Sequence, residues 1–141
     1  MPVRAFLDAN VFIYAFERPE SNSARIIGML NGGEMEAVVS ELAVIEVMRY
    51  FKKYHGKDLA SKFRDYILQS CELVLRDEIP AAVETLHGSI KDKDLEHLAT
   101  VRTLGLKYLV SYDDDFIGHE EYVTPRDFLI RMGRPHGRMP Y

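Results

Sequence analysis

Apolar positions in this chain alternate between short unbroken runs and longer stretches with helical spacing. Val3 to Leu7 (VRAFL), Met35 to Val39 (MEAVV), Glu72 to Leu75 (ELVL) and Leu106 to Ser111 (LKYLVS) are runs of strand length. A short fifth strand is expected near Tyr122-Val123. Between them lie helical segments. Val11 to Phe16 reads as a turn leading into a short helix, and Ser21 to Ser23 offers an N-cap for a helix ending before Gly32-Gly33. Residues 41–54 place Val44, Val47, Met48 and Phe51 on one stripe, with Ser40 as their cap. A further helix runs from about Asp58 to Ser70. Pro80 sits at the N1 position of another, reaching about Ile90, and Asp92 to Gly105 forms the last.

Strands alternating with helices at this spacing predict an α/β fold with a largely parallel sheet of four or five strands, covered on both faces. The length of 141 residues favours one domain, expected over 1–130. Residues 131–141, rich in Gly and Pro, are expected to form a basic, flexible tail.

The chain carries 18 Lys+Arg against 22 Asp+Glu, a net charge of -4. That balance argues at first against a polyanionic partner. Its single cysteine, Cys71, excludes an intrachain disulfide and a multi-Cys zinc site, and suits a reducing, cytoplasmic compartment. Cys71 reads as a small core residue without a neighbouring base. There is no GxxxxGK[ST] loop, GxGxxG turn or GxSxG elbow.

What changes the reading of charge is where the acids fall. In open parallel sheets ligands bind beyond the carboxyl ends of the strands. Asp8 follows the first strand and Asp113 the fourth, while Glu46 and Asp94 lie on adjoining helices. Four oxygen donors without thiolates suit Mg²⁺ or Mn²⁺ rather than zinc. Each acid has a plainer alternative. Asp8 can cap the following segment with help from Asn10, and Glu46 can pair with Arg49 on an exposed helix face. Asp94 or Asp92 can serve a helix dipole, and the 113–115 triplet can be a solvated turn. His97, three residues after Asp94, either contacts phosphate or is structural.

These positions also carry a family pattern. LDANVFIYAF resembles the opening motif of PIN domains, SELAVIEVMRYF their second, and DKDLEHLATVRTLGLKYLVSYDDDF their third and fourth together. VTPRDFL is similar to the closing segment, so the resemblance spans about residues 3–130. Glu96-His97 departs from the smaller or more apolar residues usual there. The resemblance implies an α/β/α sandwich and a metal-dependent endoribonuclease. Asp8, Glu46, Asp94 and Asp113 would be its catalytic acids and metal ligands, Asp115 an extra ligand, and Asn10 and Ser111 donors that orient carboxylates. Small members of this kind are often VapC-type toxins, so an RNA substrate, a cognate antitoxin and a homodimer are expected. A catalytically silent RNA- or protein-binding module is the alternative.

Substrate grip is expected from Arg49, Lys52 and Lys53 within the basic stretch 49–64, and from Arg134 and Arg138 in the tail. Setting the four acids aside as cation ligands brings the rest of the chain to neutrality. The acidic balance then reads as a concentrated cation site beside basic patches.

Overall fold

The computed structural model describes residues 2–78 and 92–141, with the side chains of 92–94 excepted. The expected helix over 80–90, with Pro80 and His87, lies outside the described residues. β1 (Val3–Leu7), β2 (Met35–Ser40), β3 (Cys71–Val74), β4 (Tyr108–Val110) and β5 (Tyr122–Val123) form one sheet in the order β3-β2-β1-β4-β5. Every pairing is parallel. The helices are α1 (Ala9–Glu17), α2 (Asn22–Asn31), α3 (Glu41–Tyr54), α4 (Lys57–Ser70), α5 (Asp92–Thr103) and α6 (Pro125–Arg131). The result is a three-layer α/β/α sandwich.

The strands are unbroken apolar runs because both faces of the sheet are covered. Ala5, Phe6 and Leu7 of β1, Val38 and Val39 of β2, and Leu109 and Val110 of β4 are buried, as are Phe12, Phe51, Phe116 and Phe128 from the surrounding segments. Local chemistry sets the helix starts. Ser21, Ser40 and Thr124 each accept a hydrogen bond from the backbone N–H three residues on. At Gly56, φ is +95°, a conformation open to glycine, and it lets the chain reverse from α3 into α4.

Two expectations differ from the structure. The segment after β1 is helical from Ala9, with no intervening turn, because Asp8 itself caps it. The C-terminal residues, expected to be loose, return across the fold. Asn22 donates to the carbonyls of Met139 (2.5 Å) and Gly137 (3.5 Å) and accepts from the Gly137 N–H (2.7 Å). The Tyr141 ring stacks on Tyr14 with centroids 4.6 Å apart. Gly and Pro here shape a docked strap, because a buried asparagine supplies the partners its backbone needs.

Candidate active site

β1 is the central strand and the point where strand order reverses, since the chain proceeds to β2 on one side and reaches β4 on the other. The carboxyl ends of β1 and β4 therefore open onto the crevice where α/β sheets bind ligands. Asp8 and Ser111 are the residues immediately past those ends. The Asp8 N–H donates to Val110 O (3.0 Å), so the two strand ends are tied together at the site.

Asp8 is 3 % exposed and fully engaged. Its Oδ1 accepts from the Ala9 N–H (2.7 Å), and its Oδ2 accepts from the Ser111 hydroxyl (2.7 Å) and the Asn10 amide (3.4 Å). The Asn10 amide also donates to Ser111 Oγ (3.2 Å), and its Oδ1 accepts from the Tyr112 N–H (3.1 Å). Capping and site placement are thus one arrangement: the carboxylate that starts α1 is presented to the crevice. Burial disfavours its charged form, but the charge of the neighbouring His97 and the bonds from Ser111 and Ala9 outweigh that and hold the carboxyl below its usual pKa.

One cleft is lined by Asp8, Asn10, Glu46 and Asp113, together with Arg49, Tyr50, Lys53 and Tyr54 from α3. Glu46, Arg49, Tyr50, Lys53 and Tyr54 follow helical spacing, so one face of α3 presents an acid at the strand ends and cations farther along. Tyr50 is held by Glu17, to which its hydroxyl donates at 2.7 and 2.8 Å; that bond raises the phenol to about 12. His55 Nε2 lies 2.9 Å from the same carboxylate, fixing the end of α3 against α1. Asp113 accepts from the Asp115 N–H (2.9 Å) at the start of a 3-10 turn over Asp114–Phe116. Asp115 is half-buried there and does not line the cleft.

His97 is the residue that sequence reasoning leaves between two roles. It is fully buried on α5, with Nε2 3.2 Å from Asp8 Oδ1 and 3.3 Å from Glu46 Oε1. The nitrogen points between the two oxygens and has hydrogen-bond alignment with neither. Burial lowers its pKa, but the carboxylates of Asp8 and Glu46 overcome this and raise it to about 10. The alternative of a Glu46–Arg49 surface pair leaves out Glu46's buried neighbour. Residues 95–100 are all buried, Glu96 and His97 included, which helical spacing does not reveal. Asp94 lies in the first turn of α5, and its side chain is outside the described residues.

The donors fit a divalent cation. A buried carboxylate faces a second acid, a third lines the same cleft, and a buried imidazole nitrogen without an aligned partner aims at the first two. Other expected contacts sort differently. Lys52 lines a neighbouring groove with Ile45, Met48, Lys57, Ala60 and Ser61, on the α4 side of α3, and Arg49 lines both that groove and the cleft. Arg134 pairs with Glu34 (3.0 Å) and lines a pocket with Arg25 and Pro135, outside the cleft; Arg138 does not line the cleft either. The tail docks along α2 and α6 and ends with Tyr141 beside Tyr14 and Tyr112.

No curated protein matches the chain. Solved structures do. A chain of a toxin–antitoxin complex from Klebsiella pneumoniae superposes with a TM-score of 0.67 at 25% identity, covering 86% of this chain and 97% of that one. VapBC2 from Rickettsia felis, bound to a DNA fragment from its promoter, gives 0.68 at 15% identity, covering 86% and 98%. VapC20 of Mycobacterium tuberculosis, a sarcin–ricin loop cleaving toxin, gives 0.59 at 17%, covering 79% and 92%. The family model for the PIN domain matches residues 5–121, which takes in the end of β1, all of β2, β3 and β4, and the whole cleft. With the strand order, the acids at the strand ends and that match in agreement, this chain belongs to the PIN-domain family.

Proposed function

We propose that the protein is a metal-dependent endoribonuclease that hydrolyses RNA phosphodiester bonds and acts as the toxin of a toxin–antitoxin pair. The observation that carries the reading is the convergence of Asp8, Glu46 and Asp113 on one cleft at the switch point, with Asp8 clamped by Ser111 and Asn10. Three carboxylates on one cleft suit a divalent cation, and a binding module has no use for them. The Klebsiella relative, at 25% identity over nearly its whole length, supports the toxin assignment.

Asp8, Glu46, Asp94 and Asp113 would hold Mg²⁺ or Mn²⁺; Asp115, which does not line the cleft, is set aside as a ligand. When bound, the ion lowers the pKa of a water nucleophile and neutralises charge on the phosphate. The chain's own residues do the rest. Ser111 and Asn10 fix the Asp8 carboxylate so that its orientation is set before substrate arrives. Arg49 and Lys53, on the cleft face of α3, bind the phosphates flanking the scissile bond. An antitoxin peptide and a second copy of the chain are the proposed protein partners.

The test is cleavage of a structured RNA by the purified protein. Activity with Mn²⁺, its loss on chelation and its loss in Asp8→Asn are the expected results. Cleavage that resists chelator and survives Asp8→Asn would overturn the proposal, and intact RNA under all conditions would favour the silent-module alternative.

A further inference from the structure

We infer that Tyr112, backed by Tyr14 and Tyr141, is a platform on which an unpaired base of the RNA substrate stacks beside the cleft. This rests on RNA as the substrate and names the part of it, other than phosphate, that the chain grips.

Three rings from distant parts of the chain meet here. Tyr14 lies one turn after Asn10 on α1, Tyr112 follows Ser111 beyond β4, and Tyr141 arrives with the docked tail. Tyr14 and Tyr141 are stacked, with centroids 4.6 Å apart and planes 11° from parallel. Tyr112 stands steeply to both, at 79° and 5.6 Å from Tyr14 and at 69° and 5.3 Å from Tyr141. The Tyr141 carbonyl accepts from the Asn22 N–H (3.0 Å), so the strap holds the third ring in place.

This unit is tied to the acids. The Tyr112 N–H donates to Asn10 Oδ1 (3.1 Å), and the Asn10 amide donates to Asp8 Oδ2. The residue after Tyr112 is Asp113, which lines the cleft with Asp8 and Asn10. A strand whose phosphate sits at those acids therefore runs past Tyr112. Although two rings cover part of it, Tyr112 is 37 % exposed. Its orientation is fixed before any ligand arrives, so a base that stacks on it loses little to the ordering of the side chain. Every base has a π-face, which makes such a platform tolerant of sequence but selective for unpaired nucleotides. The exposed Arg18 places its guanidinium 5.4 Å over the Tyr141 ring, adding the positive charge that a backbone beside the platform needs.

The experiment uses the full chain carrying Asp8→Asn, with Mn²⁺, so that bound RNA stays intact. The probe is a uridine oligonucleotide with one 2-aminopurine, moved along it position by position, whose fluorescence falls on stacking. Binding is expected to quench one position strongly. Adding Tyr112→Leu, which keeps apolar bulk without a ring, should abolish that quench and weaken binding by about 10-fold. The salt slope should stay unchanged, since no phosphate contact is lost. Tyr112→Phe, lacking only the hydroxyl, should bind and quench as Tyr112 does. Bound RNA quenched at no position would overturn the inference, as would a quench that survives Tyr112→Leu or is lost in Tyr112→Phe. So would binding of the structured RNA but not of the uridine probe, because stacking tolerates sequence. A chain that binds neither RNA would remove the RNA-substrate reading, and the platform with it.

Discussion

Ser40 Oγ meets His97 Nδ1 at 2.9 Å while capping α3 through the Ala43 N–H. The preceding residue on α5, Glu96, accepts from the Leu42 N–H (2.7 Å), so two successive α5 side chains grip the first turn of α3. That grip sets the height of Glu46, one turn along, against Asp8. Glu96 is buried and also accepts from Arg76 Nε at 2.6 Å. Glu96→Ala should therefore cost about 1–3 kcal/mol by stranding the Leu42 N–H. Thermal unfolding with and without Mn²⁺ checks this, and a melting temperature equal to wild type would contradict it.

Asp8→Asn keeps the shape of the carboxylate and can preserve the cap on α1. Its effect should fall on turnover, by about 100-fold or more, with little change in RNA affinity. Single-turnover cleavage paired with a binding isotherm separates the two. Equal losses in both would mean that Asp8 serves mainly to hold the substrate.

Cations on α3 and in the tail should behave differently. The Arg49→Ala, Lys53→Ala double variant removes charge from the cleft wall, and each phosphate no longer neutralised lowers the salt slope of RNA binding by about 0.7. Arg134 is engaged with Glu34 away from the cleft, so Arg134→Ala should leave the slope unchanged. A slope that falls only in the Arg134 variant would relocate the RNA path to the tail.

Docking of the tail uses the buried Asn22 amide beside bonds from Arg126 to Gly137 and Pro140. Asn22→Ala removes its bonds to Gly137 and Met139 and leaves the Gly137 N–H and the Met139 carbonyl without the side chain that pairs them, while the Gly137 carbonyl keeps Arg126 Nε (3.1 Å). Limited proteolysis should then cut between residues 131 and 141 faster than in the wild-type chain. Equal cutting rates would show that the Tyr14–Tyr141 stack suffices.

Cys71 opens β3, and burial pushes its thiol up to about 12. At pH 8 almost no thiolate forms, so iodoacetamide should label the folded chain far more slowly than the unfolded one. Rapid labelling of the native protein would mean that β3 opens.

Much of the site is legible along the chain because it is built at strand ends. Asp8 and Asp113 each follow an apolar run, and that local pattern marks the crevice of a parallel sheet without reference to the rest of the fold. Asn10 and Ser111 are legible for the same reason, lying within two residues of those acids. Arg49 and Lys52 cannot be told apart by composition. Arg49 lines both the cleft and the α4 groove, while Lys52 lines only the groove, and only packing says which face is which.

The sequence by itself determined the order of elements, the caps and the acids at the strand ends, since these depend on neighbours within a few residues. Tertiary structure decided what depends on partners far apart in the chain. His97 meets an aspartate 89 positions earlier, and residues from 131 on become a docked strap because Asn22 is buried beneath them. Helical spacing reports which side chains share a face, but it carries no record of what that face will meet. On α5, buried on all sides from 95 to 100, the amphipathic pattern that identifies other helices disappears, and along the chain the residue that joins two acids looks like any core histidine.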